Sequence, residues 1–167
     1  EGINITVTLL FGLPPYREVT EAYISGLEAR VKNNKPIDHV ASVASFFLSR
    51  IDVMVDPILK EKKLDSLVGE VAIDSAKEAY HIYKEVFFSD RFRELEKKGA
   101  KVQKVLWAST SSKDPSFSDV KYVEALIGPD TINTLPMETI DAFRDHGVAK
   151  EELEHNLVKS SRELEKL

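Results

Sequence analysis

Ile3, Ile5, Val7, Leu9 and Phe11 alternate with Asn4, Thr6, Thr8 and Leu10, the two-residue period of a strand with one apolar face and one polar, uncharged face. "LPPY" turns the chain, with Pro14 and Pro15 placed to lead into a helix. From Tyr16 to Val31 the apolar residues Val19, Ala22, Tyr23, Leu27 and Val31 recur at helical spacing, and "KNNKPID" breaks the pattern. A second strand opens "HVASVASFFLSRIDVMVDPIL". Val43, Ser45 and Phe47 share one of its faces, and Ser42, Ala44, Phe46 and Leu48 the other. Pro57 is expected to cap an irregular stretch after it.

Gly69 to Phe88 reads as an amphipathic helix that buries Ala72, Ala76, Ala79, Tyr80, Tyr83 and Phe87. A short helix from Asp90 to Lys98 ends at Gly99, a C-cap residue type. "AKVQKVLWAST" is a third strand, followed by the polar loop "SSKDPS". Val120 to Ile127 reads as a helix closed by Gly128, and "DTINTLP" as a fourth, short strand. Met137 to His146 is a helix ended by Gly147, and Lys150 to Leu167 a last charged helix.

This order is a β-α unit repeated about four times, the alternation that signals parallel strands joined by crossover helices. An open doubly wound sheet and part of a (β/α)8 barrel both fit. Central strands of an open sheet meet helices on both faces and read as nearly continuous apolar runs. Here three strands carry Asn, Thr, Ser or Gln on one face, with the polar residues gathered near the C-terminal ends. A barrel lumen that becomes a site at its top has this character. The expectation is an α/β chain forming about half of a (β/α)8 barrel over residues 1–148, followed by a helical tail over 149–167.

Composition narrows the function classes. The 167 residues are 43% hydrophobic and 31% charged, with 23 Lys and Arg against 28 Asp and Glu, a net charge of -5. That balance, without a long basic run, argues against nucleic acid or an anionic membrane as a partner. No apolar run approaches the roughly 20 residues of a membrane helix. The absence of cysteine excludes disulfides, thiolate metal sites and a Cys nucleophile. It suits a reducing compartment such as the cytoplasm, or a plastid if the source is a plant. A strand at the very first residues, with no lead-in, is the expected appearance of a fragment.

Strand C-terminal ends are where chemistry is sought. The first strand supplies Thr6 and Thr8, the second Ser45 and Phe47 with Arg50 just beyond. The third supplies Ser109 and Ser111 with Lys113 in its loop, and the fourth Asn133 and Thr134. Hydroxyls and cations from adjacent strands can cradle an anion, and the Arg50 fork suits bidentate phosphate contacts. The competing reading pairs Arg50 with Asp52 or Asp56 and lets the serines fill tight space. His39, His81, His146 and His155 have no metal-ligand spacing with carboxylates and read as surface or capping residues, so no metal is expected. Trp107 reads as core. An imine-forming lysine belongs on a strand, its tip in a desolvated pocket. Lys104 is the lysine inside a strand, but it shares parity with Leu106 and Ala108, opposite Ser109, and is expected to point away from the site.

"GINITVTLLF", "HVASVASFFLSRID", "VQKVLWASTSSKDP" and "YVEALIGPDTINTLPMETIDAFRDHG", in that order, resemble the C-terminal part of a bacterial or plant-type transaldolase, from Gly2 to about Val148. The resemblance implies strands 5 to 8 of a (β/α)8 barrel. It also implies an enzyme of the pentose phosphate pathway that transfers a dihydroxyacetone unit between sugar phosphates through a lysine Schiff base, with no cofactor. Thr8 matches the threonine that helps hold the catalytic water. Ser45 and Phe47 match residues lining the dihydroxyacetone pocket, Arg50 the phosphate-binding arginine, and Ser109 the serine beside it. Thr6 stands where the family has an asparagine, and Ser111 where many members have a second phosphate arginine, with Lys113 near enough in sequence to replace it. The lysine strand and the proton-transferring aspartate and glutamate of the first four strands would lie outside this chain, so the chain alone is expected to be inactive. The alternative is a non-catalytic sugar-phosphate-binding module, or an assembly half that pairs with a separate N-terminal barrel half.

Overall fold

The computed structural model describes residues 2–166, so the expectations that touch Glu1 and Leu167 lie outside the described residues. Four strands form one parallel sheet in the order β1 (Ile5–Leu10), β2 (Ser42–Phe47), β3 (Lys104–Ala108) and β4 (Thr131–Asn133). Helix α1 (Leu13–Lys32) joins β1 to β2. Helices α2 (Ser49–Glu61), α3 (Val71–Phe87) and α4 (Asp90–Glu96) lie between β2 and β3. The single turn α5 (Lys121–Glu124) precedes β4, and α6 (Met137–His146) and α7 (Leu157–Leu164) follow it.

The register assigns the two faces of the sheet, because residues paired across parallel strands project to the same side. One side gathers Val7, Ala44, Phe46, Val105 and Trp107 beneath the helices. Phe46 and Trp107 are fully buried there, edge to face at 6.5 Å, and Tyr16 of α1 meets Phe46 the same way at 6.0 Å. Each such aromatic contributes about 2 kcal/mol by leaving water. The other, free face presents Thr6, Val43, Ser45, Phe47, Leu106 and Ile132; Thr6 is exposed, Ser45 is buried, and the other four are half-buried. β1 and β4 are the two edges, and on β1 even the helix-side residue Ile5 is 56% exposed.

The observed boundaries correct several expectations. Helix α1 begins at Leu13 rather than Tyr16, because the prolines sit in its first turn, where a missing N–H costs no intrahelical bond. Pro57 ends nothing. It lies inside α2, and both Pro57 and Val53 are on the exposed side, where water can serve the carbonyl left without a donor. The helix expected over Val120 to Ile127 is one turn, and the charged tail is helical over Leu157–Leu164 but not over 150–156. In that non-helical stretch the Leu153 side chain is fully buried, and the Glu152 and Leu153 N–H groups both donate to the Ile127 carbonyl. Helix α3, expected over Gly69 to Phe88, spans Val71–Phe87 and buries all six residues expected of it. After α4, Gly99 has φ +90°, and the Gly99 and Ala100 N–H groups close the helix end on Glu96 and Leu95 carbonyls.

Helix α7 packs on α3 through buried polar groups. Ser160 Oγ donates to Asp74 Oδ1 at 2.6 Å, and Lys77 Nζ donates to the His155 carbonyl at 2.9 Å. Burial, with the Glu163 carboxyl beside it, pushes the Asp74 carboxyl up to about 6, against the lowering effect of Ser160. A carboxyl whose pKa is higher folded than unfolded binds extra protons in the native state, so its contribution to stability falls as pH rises from near 4 through about 6. Asp74→Asn is therefore expected to raise Tm relative to the parent at pH 7 and to lose that advantage at pH 4, read by thermal melts at both pH values.

Candidate active site

The free face of the sheet is built differently at its two ends. Lys104 pairs in register with Val43, which places it on the free face and corrects the expectation that it points away. It nevertheless sits at the N-terminal end of β3, about half exposed, with Nζ 3.8 Å from Asp130. Of the expected site residues, Thr6 lies in this same row, paired with Val43, and the others occupy the opposite, C-terminal end.

β1 carries an irregularity there. Val7 pairs with Ala44 and Leu10 with Phe46, so Thr8 and Leu9 together oppose Ser45. This is a β-bulge, with Leu9 in the left-handed region at φ +64°. The extra residue resets the alternation. Thr6 and Thr8 stay exposed on the free face, Leu10 turns under the helices at 6% exposure, and Phe11 meets Phe47 at a centroid distance of 5.1 Å. Simple alternation had put Leu10 with Thr8 and Phe11 with Val7, which the bulge overturns.

β2 ends directly in α2, and the helix N-terminus is tied to the end of β3. The Leu48 and Ser49 N–H groups donate to the Ala108 and Ser109 carbonyls, each at 3.0 Å, and the Ser49 and Ser109 hydroxyls are 3.2 Å apart. Ser109 also has a left-handed φ, +58°, so it leaves the strand alternation and turns towards α2. Such backbone strain in a non-glycine residue costs on the order of 1–3 kcal/mol and collects at functional sites.

Arg50, in the first turn of α2, is exposed, with its guanidinium carbon 5.5 Å from the Phe47 ring centroid. Among the described residues it makes no ion pair. The carboxylates that could have taken it are used elsewhere. Asp52 Oδ1 accepts the Ala72 N–H at 2.9 Å, Asp52 Oδ2 accepts the Tyr122 hydroxyl at 2.6 Å, and Asp56 Oδ1 accepts the Gly69 N–H at 2.9 Å. Burial holds the Asp52 carboxyl above its ordinary range, against the lowering effect of its two donors, and burial with the Asp52 contact raises the Tyr122 phenol. Gly69 must be glycine. Its φ is +75°, and a Cβ would lie 2.5 Å from Phe117.

Ser111 Oγ accepts from Lys113 Nζ at 2.7 Å, and Lys113 lines a cleft of about 290 Å³ with Ser49, Asp52, Lys60 and Tyr122. Arg50, in the first turn of α2 after β2, and Ser109, Ser111 and Lys113, after β3, all follow the C-terminal ends of two neighbouring strands, and Ser109 meets the α2 N-terminus through Ser49. On the same face Thr8 stands opposite Ser45, with Phe47 beyond it and Thr6 one row towards the N-terminal end. Asn133 and Thr134 do not join them. Asn133 pairs with Trp107, on the side that faces the helices, and the Thr134 hydroxyl donates to the Trp107 carbonyl. Among the described residues no cluster of His, Asp or Glu is arranged to hold a metal ion.

The whole chain, residues 1–167, matches the profile of the family described as transaldolase/fructose-6-phosphate aldolase. The chain belongs to that family. A transaldolase of Trichodesmium erythraeum is 49% identical over 178 residues, covering 100% of this chain and 47% of the relative. Transaldolase 2 of Nostoc sp. PCC 7120 is 54% identical over 158 residues, covering 87% of this chain and 42% of the relative. A transaldolase of Saccharopolyspora erythraea is 47% identical over 152 residues, with coverages of 87% and 40%. The chain therefore spans about half the length of the curated relatives it matches. The contact of Phe11 with Phe47 was not legible in the sequence, because the bulge conceals it.

Proposed function

We propose that this chain is the C-terminal half, strands 5 to 8, of a transaldolase barrel, and that its free sheet face is one wall of the active site. The donor is a ketose phosphate, fructose 6-phosphate or sedoheptulose 7-phosphate. A lysine amine from outside the described residues attacks the ketose C2 carbonyl and expels water to form an iminium. A carboxylate supplied with that lysine takes the C4 hydroxyl proton as the C3–C4 bond breaks, its electron pair moves towards the iminium nitrogen, and an aldose phosphate leaves; the same carboxyl returns the proton to the alkoxide formed on the acceptor. The remaining enamine adds to the aldehyde carbon of an acceptor aldose phosphate, and water then frees the lysine. Thr8 holds the water, Thr6, Ser45 and Phe47 line the dihydroxyacetone pocket, and Arg50 takes the phosphate with Ser109, Ser111 and Lys113. The chemistry requires no metal or organic cofactor.

The observation that carries this reading is the Arg50 guanidinium, without an ion pair among the described residues and held against the Phe47 ring just past the C-terminal end of β2 in a transaldolase-family sheet. Support for a lysine supplied from elsewhere comes from Lys104 and Lys113, which are exposed and occupied by Asp130 and Ser111 rather than desolvated. The edge of β1 and the apolar groove of about 310 Å³ between its outer side and α1, lined by Ile3, Ile5, Val7, Val19, Ala22 and Tyr23, suit the preceding strand and helix of the barrel. Borohydride reduction of the 167-residue chain with fructose 6-phosphate is expected to leave its mass unchanged. A covalent sugar adduct on Lys104, Lys113 or any other lysine of this chain would overturn the assignment.

A further inference from the structure

The bulge in β1 delivers Phe11 to the free face, a consequence the assigned site does not use. Were β1 regular, Phe11 would lie on the side of Val7 and Leu10 would join Thr8. Instead Thr8 and Leu9 share one partner, Leu9 takes a left-handed φ of +64°, and Phe11 lies against Phe47 at 5.1 Å with the rings 44° apart. Leucine rarely adopts that conformation, so the fold maintains a strained residue where a regular strand would have spared it. On the free face the bulge takes Leu10 away and brings in Phe11. It is not covered in return, since Phe11 remains 41% exposed. Phe47 in turn carries the Arg50 guanidinium at 5.5 Å from its centroid.

We infer that Phe11 is a positioning residue for the anion site, fixing the Phe47 ring and through it the Arg50 guanidinium; this rests on the proposed reading of Arg50 as the phosphate contact. A guanidinium resting on an aromatic face keeps its edge N–H donors free for an anion. A ring steadied on one side leaves that cation fewer orientations, so less freedom is lost on binding. Thr8 belongs to the bulge as well, so the distortion that places Phe11 also sets the direction of the hydroxyl proposed to hold water.

The test uses the 167-residue chain, inorganic phosphate as the probe, and the Arg50 Nε–Hε resonance as a local reporter. In the parent chain, Arg50 over the Phe47 ring is expected to show an upfield ring-current displacement and to shift further as phosphate is added. Phe11→Leu is expected to remove most of that displacement and to weaken phosphate binding by about three- to fivefold. Phe11→Tyr, which keeps the ring at a partly exposed position, is expected to restore both to within about twofold of the parent. The amide dispersion of the same spectra shows that each variant is folded. Phosphate binding that Phe11→Leu leaves unchanged, with the Arg50 resonance unmoved, overturns the positioning role alone. So does Phe11→Tyr behaving as badly as Phe11→Leu. A parent chain whose Arg50 resonance ignores phosphate overturns the phosphate reading itself, and the positioning role with it.

Discussion

Arg50→Gln is expected to weaken binding of inorganic phosphate, and equally of fructose 6-phosphate, by about a hundredfold, close to 3 kcal/mol. The size follows from geometry. A guanidinium offers two parallel charge-assisted N–H donors to one phosphate, and glutamine offers a single neutral donor on a shorter stem. Because Asp52 and Asp56 already accept buried donors, no internal ion pair is lost with Arg50, and folding stability should change little. Arg50→Lys keeps the charge without the fork and should fall between, weakening phosphate binding about tenfold. Isothermal titration of the three chains with phosphate measures the series. Equal affinities across it would remove Arg50 from the site.

Asp52→Ala is expected to be among the most destabilising changes in the chain, costing about 4 kcal/mol. Asp52 is 1% exposed, and its two oxygens satisfy groups from two other elements, the Ala72 N–H in the first turn of α3 and the Tyr122 hydroxyl of α5. Alanine leaves both donors buried without a partner, each at about 1–3 kcal/mol, and opens a small cavity as well. It also removes negative charge from the N-terminus of α3, where the helix dipole favours it. Tyr122→Phe removes one donor and should cost about 1–2 kcal/mol. The two changes should be non-additive in the double variant, since the second then finds its partner already gone. Urea unfolding of the single and double variants provides the cycle. Because Asp52 lies two residues from Arg50, the partly unfolded variant should also lose phosphate binding, which the tyrosine variant should retain.

Alternation was sufficient where a strand is regular and central. β2 runs between β1 and β3, and its two faces emerged as its residues predict, with Ala44 and Phe46 buried and Ser45 and Phe47 on the free side. It failed where the backbone leaves the strand region. Leu9 and Ser109, both at positive φ, mark the places where β1 and β3 lose parity, and nothing in "VTLLF" or "LWAST" signals either. A bulge is chosen by pairing with the neighbouring strand, so it depends on residues distant in sequence. Lys104 was misplaced for the same reason, since its face was inferred from Ser109 across the break. The fate of Arg50 was open in sequence because two carboxylates follow it within a helical turn or two. Only the positions of Ala72, Gly69 and Tyr122 show that those carboxylates are engaged. Family membership was legible from four short segments because they coincide with the strands and the loops that follow them.

The central claim is that this sheet is one wall of a transaldolase site whose lysine lies on another stretch of barrel. It is tested most directly by mixing the 167-residue chain with a polypeptide comprising the portion of the Trichodesmium erythraeum transaldolase that this chain does not match. Transfer of dihydroxyacetone from fructose 6-phosphate to an aldose phosphate is then assayed for each part and for the mixture. The account predicts transfer by the mixture alone, lost again with Arg50→Gln. Transfer by the 167-residue chain without its partner, or a mixture that forms a stable complex yet transfers nothing, would contradict it.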